Sequence, residues 1–221
     1  MSRAVNVDIY AEGTAKLAAL DPVIARLVKE TGPVMFTAPN DSNFEALVRA
    51  VTYQQLAGPA ARAIYGRLRT LVHDSVTEES IGALSPDELR SAGLSHAKAA
   101  SVLDLAAKSL DGTVPLGGAA LASLDDESVI ANLTKVRGIG AWTAEIFAMI
   151  HLGRLDILPV GDLGIRHGFG LAWGIPTPTP KELEERGERY RPYRSVLAWY
   201  CWRAAEIHGN STAGDVAVST S

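Results

Sequence analysis

The residues with the types and spacing to do chemistry gather between positions 130 and 170. Gly138-Ile139-Gly140 interrupts a helical pattern that ends near Lys135 and resumes near Ala141. Two glycines around one aliphatic residue leave the backbone uncrowded at that turn. The second helix begins there, so its first N–H groups and the positive end of its dipole face outward, which suits a phosphate. The same turn also reads as a plain connection between packed helices. Past Pro159, a lone carboxylate, Asp162, stands at the head of the next helical segment. Asp is a preferred N-cap, and on this residue alone capping is the simpler reading. Capping also fixes a carboxylate in place, so a structural and a chemical role can coexist. Trp142 follows the glycine turn, and Trp199, Tyr200 and Trp202 crowd one late segment. Each serves either as plain core or as a flat wall for a planar ligand.

The elements that must hold these residues are helices. Apolar spacing of three and four recurs almost everywhere, and no stretch alternates with period two between turns. Residues 9–20 form a short amphipathic helix, and Asp21-Pro22 supplies the cap and first-turn proline of a second, through Glu30. A third runs from about Ser42 to Tyr53 and buries Phe44, Leu47, Val48 and Val51. Tyr53-Gln54-Gln55-Leu56-Ala57-Gly58 breaks the pattern before a helix at 59–72. Ser85-Pro86-Asp87-Glu88 opens another with a capping box. Gly93-Leu94-Ser95 precedes a helix at 96–110, and two short helices lead to the glycine turn. The apolar face beyond it continues through Ile146, Phe147, Met149 and Ile150. Pro176-Thr-Pro-Thr-Pro180 is a stiff spacer before a charged helix at 181–189 and a long one from about Pro192 to His208. Residues 209–221 are small and polar and are expected to be a disordered tail.

Several of these segments together resemble the helix-hairpin-helix DNA glycosylase superfamily, in particular its compact AlkA-like and yeast-type 3-methyladenine branch. Leu133 to Ala144 matches the hairpin, and Asp162 falls where that superfamily carries its catalytic Asp, twenty residues beyond Trp142. The likeness runs from about Phe44 to Trp202. It implies an all-α fold of two helical subdomains with a DNA-binding cleft between them. Residues 36–150 would form a helical barrel ending in the helix-hairpin-helix at about 126–151. Residues 1–35 and 151–208 would form a second bundle carrying Asp162. The extra N-terminal α/β domain of AlkA has no counterpart, since too few residues precede the third helix.

The resemblance also implies a reaction. Cleaving an N-glycosidic bond builds positive charge on the sugar as the base departs, and a nearby carboxylate, Asp162, stabilises that charge and helps position water. Bifunctional members carry a Lys at the position of Trp142, whose amine forms a Schiff base with the sugar. With Trp there, the implied activity is base removal alone, leaving an abasic site. The expected substrates are alkylated purines, 3-methyladenine and 7-methylguanine, excised in base excision repair. Such bases are cationic, and an indole face attracts them more than neutral ones by about 0.5–2 kcal/mol. Trp142 and Trp202 are the implied pocket walls, with Tyr53 a further one and Trp199 assigned to the core. Leu56 matches the wedge that fills the gap left by a flipped base, with Gln55 beside it. By its neighbours alone, Leu56 reads as ordinary helix packing. Gly138 and Gly140 would hold a phosphate, with Lys98 a second contact. The carbonyls of Thr134, Val136 and Ile139 would hold a structural Na+ or K+. The implied partner is double-stranded DNA containing alkylated bases, bound by a monomer. Two rival readings are a non-catalytic helix-hairpin-helix DNA-binding protein and a glycosylase for neutral lesions such as hypoxanthine or etheno-adenine. One departure stands out: Gly161 precedes Asp162 where AlkA has a second acidic residue.

The totals narrow the alternatives. A chain of 221 residues with 47% hydrophobic content can bury a sizeable core. The single cysteine, Cys201, permits neither an intrachain disulfide nor the four-cysteine iron–sulfur cluster some relatives carry, and it reads as a buried small hydrophobe. The resemblance implies a chemistry that requires no cofactor. The five histidines lack metal-ligand spacing. Ser95-His-Ala-Lys98 has the Ser-x-x-Lys spacing of penicillin-recognising enzymes without their partner motifs. No apolar run approaches a membrane span, and the first residues show no secretory apolar core. The expected location is the cytoplasm or nucleoid, or the nucleus in a eukaryote. The net charge of −4 is unusual for a DNA binder, but Lys98, Lys135 and Arg137 lie at the turns in question.

Overall fold

The computed structural model describes residues 7–36 and 41–209, with side chains from Tyr10 onward. Every regular element among them is helical, and they form two compact units, 41–147 and 7–36 with 148–209. The tail expected at 209–221 lies outside the described residues except for Gly209, which ends the last helix.

In the unit 41–147, α3 (Asn43–Tyr53) is capped by Ser42, whose hydroxyl accepts the Glu45 N–H. Its Phe44, Leu47, Val48 and Val51 recur at helical spacing and are fully or almost fully buried. Then come α4 (Gly58–Leu71), α5 (Glu78–Gly82) and α6 (Pro86–Ser91). The Ser85–Glu88 capping box is present in full. A longer helix, α7 (His96–Leu110), packs against α3, α5 and α6. The short α8 (Gly118–Ala122) and α9 (Asp126–Leu133) lead to α10 (Ala141–Ile146). Here the structure departs from the expected continuous helix, because residues Phe147–His151 form a wider π-helical turn. That turn buries Phe147, Ala148 and Met149 in succession, which one face of an α-helix does not do, and leaves Ile146 and Ile150 half-buried.

The other unit begins with α1 (Val7–Leu20) and α2 (Pro22–Thr31) and resumes with α11 (Leu163–Trp173), α12 (Pro180–Gly187), a 3₁₀ turn at Glu188–Tyr190 and α13 (Arg194–His208). Its heart is α11 packed on α13, with α2 against both. Asp21 ties the ends together. Only 4% exposed, it caps α2 through the Val23 N–H at 2.8 Å, and its other oxygen accepts the Tyr190 hydroxyl at 2.6 Å and the Trp173 indole N–H at 3.2 Å. Burial alone would raise this carboxyl. The bonds from Tyr190, Val23 and Trp173, with the Arg189 charge, outweigh it and hold the group below its ordinary range.

A stability prediction follows with its sign. Asp21→Ala removes a cap worth about 1 kcal/mol and strands two donors at about 1–3 kcal/mol each, so a loss of at least roughly 3 kcal/mol is expected in denaturant titrations. A depressed folded-state pKa stabilises above the unfolded value of about 3.9 and ceases to do so as pH falls through the folded value. The stability gap between wild type and Asp21→Asn should therefore narrow between pH 7 and pH 3. A gap that stays constant would remove the carboxylate from the account.

Candidate functional site

Asp162 sits where a turn becomes a helix. Its N–H donates to the Pro159 carbonyl at 2.9 Å, and its Oδ1 accepts the Ile165 N–H at 2.8 Å, so it does cap α11. The same Oδ1 accepts the indole N–H of Trp202, on α13, at 3.2 Å. The structure thus brings two of the singled-out residues together, with the N–H edge of Trp202 turned to the carboxylate. Glycine spacing explains how. A Cβ on Gly168 would lie 1.7 Å from the Cys201 carbonyl oxygen, and one on Gly164 would lie 3.1 Å from Asp162 Oδ1 and 3.4 Å from Trp202 Cδ1. The four-residue interval lets α11 and α13 approach closely and sets the indole over the start of α11.

The loop before Asp162 is anchored from α13. Arg194 donates through Nε to Asp156 Oδ1 at 2.8 Å and through Nη2 to the Asp156 carbonyl at 2.8 Å. Buried Ser195 donates its hydroxyl to the Arg154 carbonyl at 2.7 Å and accepts the Ile157 N–H at 3.0 Å. None of this was legible as function, and an Arg-Ser pair opening a helix gives no signal. Gly161 is exposed, with open space where a side chain would stand, so a second acid there is not excluded sterically. Trp199, expected in the core, is half-buried with the Arg203 guanidinium over its ring, while Tyr200 takes the fully buried position. The two rings are consecutive on α13, so only one of them can face inward. Cys201 is fully buried, and burial pushes its thiol well up, which keeps it protonated.

The hairpin lies in the unit 41–147. After α9, the Val136 N–H returns to the Leu133 carbonyl at 3.1 Å and the Ile139 N–H to the Val136 carbonyl at 3.1 Å. Gly138 has φ +77, and a Cβ there would lie 2.4 Å from the Ser101 hydroxyl, so both conformation and space require glycine. Gly140 is the N-cap of α10 and bonds through no side chain. Trp142, in the first turn of α10, is 40% exposed, so the plain-core reading does not hold for it. Of the three carbonyls that the resemblance implies for a cation, that of Val136 accepts the Ile139 N–H and keeps a second lone pair. Hard oxygen ligands of this kind suit an alkali ion.

The turn after α3 is held as tightly. Gln55 has φ +56 and is exposed, and the Leu56 N–H returns to the Tyr53 carbonyl at 3.2 Å. Leu56 and Tyr53 are half-buried, and Tyr53 meets Tyr65 edge-on at 6.3 Å between ring centroids. Lys98 does not extend into solvent. Its ammonium is half-buried and donates to the carbonyls of Thr52 at 2.8 Å and Gln54 at 2.6 Å, and burial draws its pKa down. Two of its three donors are thereby committed.

Known proteins are similar to this chain in sequence and fold. The DNA-3-methyladenine glycosylase 1 of Schizosaccharomyces pombe is 33% identical over 199 residues, covering 86% of each chain. The structure of the 3-methyladenine DNA glycosylase of that yeast in complex with abasic DNA superposes with TM-score 0.75 at 30% identity, covering 89% of this chain and 97% of its own. A DNA-3-methyladenine glycosidase from Bacillus halodurans superposes with TM-score 0.81 at 34% identity, covering 90% and 91%. Residues 48–192 match the family of HhH-GPD superfamily base excision DNA repair proteins. With that match spanning the hairpin, Trp142 and Asp162 alike, the chain belongs to the HhH-GPD superfamily of base excision DNA repair proteins.

Proposed function

We propose that the protein is a monofunctional DNA glycosylase that flips alkylated purines out of duplex DNA and excises them, leaving an abasic site. The observation that carries this reading is Asp162, a carboxylate fixed through one oxygen by the Ile165 N–H and the Trp202 indole. Fixed donors hold the negative charge ready for the positive charge that develops on the sugar, so no reorganisation is needed as the base leaves. Trp142 supports the absence of a lyase step, because an indole supplies no amine to trap the sugar. An indole, 40% exposed at this position, would attract a cationic methylpurine more than a neutral base, on the order of 0.5–2 kcal/mol.

The grip on DNA falls to the two turns of the unit 41–147. The N–H groups of Gly138 and Gly140 hold a phosphate at the start of α10, and Na+ or K+ on the carbonyls of Thr134, Val136 and Ile139 offsets charge there. Leu56, beside Gln55, fills the space of the extruded nucleotide. The protein acts as a monomer wherever the cell keeps its DNA.

The test is release of free base from duplexes carrying one defined lesion. Expected are release of 3-methyladenine and 7-methylguanine and an intact strand until alkali is added. Strand cleavage without alkali would overturn the monofunctional assignment. Release of hypoxanthine or etheno-adenine in place of methylpurines would overturn the cationic-substrate assignment.

A further inference from the structure

Four residues of α7 point the same way. Lys98, Ser101, Asp104 and Lys108 fall within about 120° of arc at 3.6 residues per turn and span roughly 15 Å of axis. Three of them bond to the backbone of one of two turns distant in sequence, and Ser101, whose hydroxyl donates to the Ala97 carbonyl of its own helix, packs against one of these turns. Lys98 donates to the carbonyls of Thr52 and Gln54. The Ser101 hydroxyl lies against Gly138 where a Cβ would stand. Asp104 accepts the Arg137 N–H at 2.7 Å, and Lys108 donates to the Lys135 carbonyl at 2.6 Å and to Asp104 at 2.8 Å. Burial would raise Asp104, but the Arg137 N–H and Lys108 outweigh it and keep the carboxyl below its usual range. Gln54 closes the arrangement directly, since its Nε2 donates to the Gly138 carbonyl at 3.0 Å and to the Thr143 hydroxyl at 3.2 Å.

We propose that α7 is a rack fixing the turn at 53–56 and the hairpin at 134–140 in one register, with Lys98 and Gln54 as positioning residues rather than DNA ligands. What the two turns do rests on the glycosylase reading above; that they are coupled does not. A phosphate grip and a wedge held at a fixed separation let binding energy from the backbone be applied to opening the base stack. A misplacement of about 1 Å at such a site can cost as much as a hundredfold in rate.

The experiment compares wild type with Lys98→Met and Gln54→Leu, which keep the stems and remove the donors. Amide hydrogen exchange on the free proteins should quicken in both turns, by about tenfold or more, because local opening becomes easier. The slope of log affinity against log salt for undamaged duplex should be unchanged. Excision under single-turnover conditions should fall by about ten- to a hundredfold. If Lys98 is a phosphate ligand, the slope falls by about 0.9 and exchange stays as in wild type, which overturns the proposal. Faster exchange confined to residues 53–57 also overturns it, because the turns are then independent. Should Lys98→Met fail to fold, Gln54→Leu decides alone. Exchange and salt slope need no turnover, so a wild type that releases no base would sink the glycosylase reading and leave the rack still measurable.

Discussion

Asp162→Asn is expected to lower release of methylated purines by about 10²–10⁴-fold while leaving the fold in place. The substitution separates two functions that one side chain performs. Asn caps helices about as well as Asp, and its Oδ1 can accept the Ile165 N–H as Asp162 does at 2.8 Å. The lost charge at the start of α11 costs only about 0.3–1 kcal/mol, so the melting temperature should move by a few degrees at most. Affinity for undamaged duplex should hold or rise slightly, since a negative charge has gone. Trp202→Phe supplies the complementary variant, keeping a flat ring and deleting the N–H that reaches Asp162 at 3.2 Å. If the indole acts through the carboxylate, its loss slows release in wild type and costs nothing further in Asp162→Asn. Unchanged release by Asp162→Asn would leave Asp162 a helix cap alone and assign the chemistry to another group.

What could be read from the sequence was what is local in the sequence. Asp21, Ser85 and Asp162 were legible as caps because each bonds to a backbone N–H two or three residues on. The buried stripe of α3 was legible because its spacing repeats the helical turn. Contacts across the sequence were not legible. Lys98 near a turn reads as an exposed cation, and only its burial against α3 shows the ammonium bound to two carbonyls. Trp199 and Trp202 have equal claims by residue type, and the packing of α13 alone decides that Trp202 meets Asp162. The π-helical turn after α10 leaves no periodic signature. One signal was present and passed over: Gly164 and Gly168, four apart on α11, mark a close crossing of helices.

That crossing sets up an expected result opposite to what helix propensity suggests. Gly168→Ala gains up to about 1 kcal/mol of propensity. Against this, the new Cβ would stand 1.7 Å from the Cys201 carbonyl oxygen and 3.1 Å from the Ala205 nitrogen, both backbone atoms that no rotamer change can move. The helices must part by more than 1 Å to reach ordinary contact, and overpacking of this kind costs about 1–3 kcal/mol or more. A net loss of up to roughly 2 kcal/mol is expected, readable in urea titrations. Gly66→Ala is the matched control, because it lies in α4 with nothing within 4 Å of its absent Cβ, and it should stabilise by about 0.5–1 kcal/mol. The second readout is catalytic. Parting α11 from α13 draws the Trp202 indole away from Asp162, so Gly168→Ala should excise slowly even at temperatures where it is fully folded. A variant that is destabilised yet excises at the wild-type rate would show that the close crossing serves packing alone and that the indole does not need to reach the carboxylate.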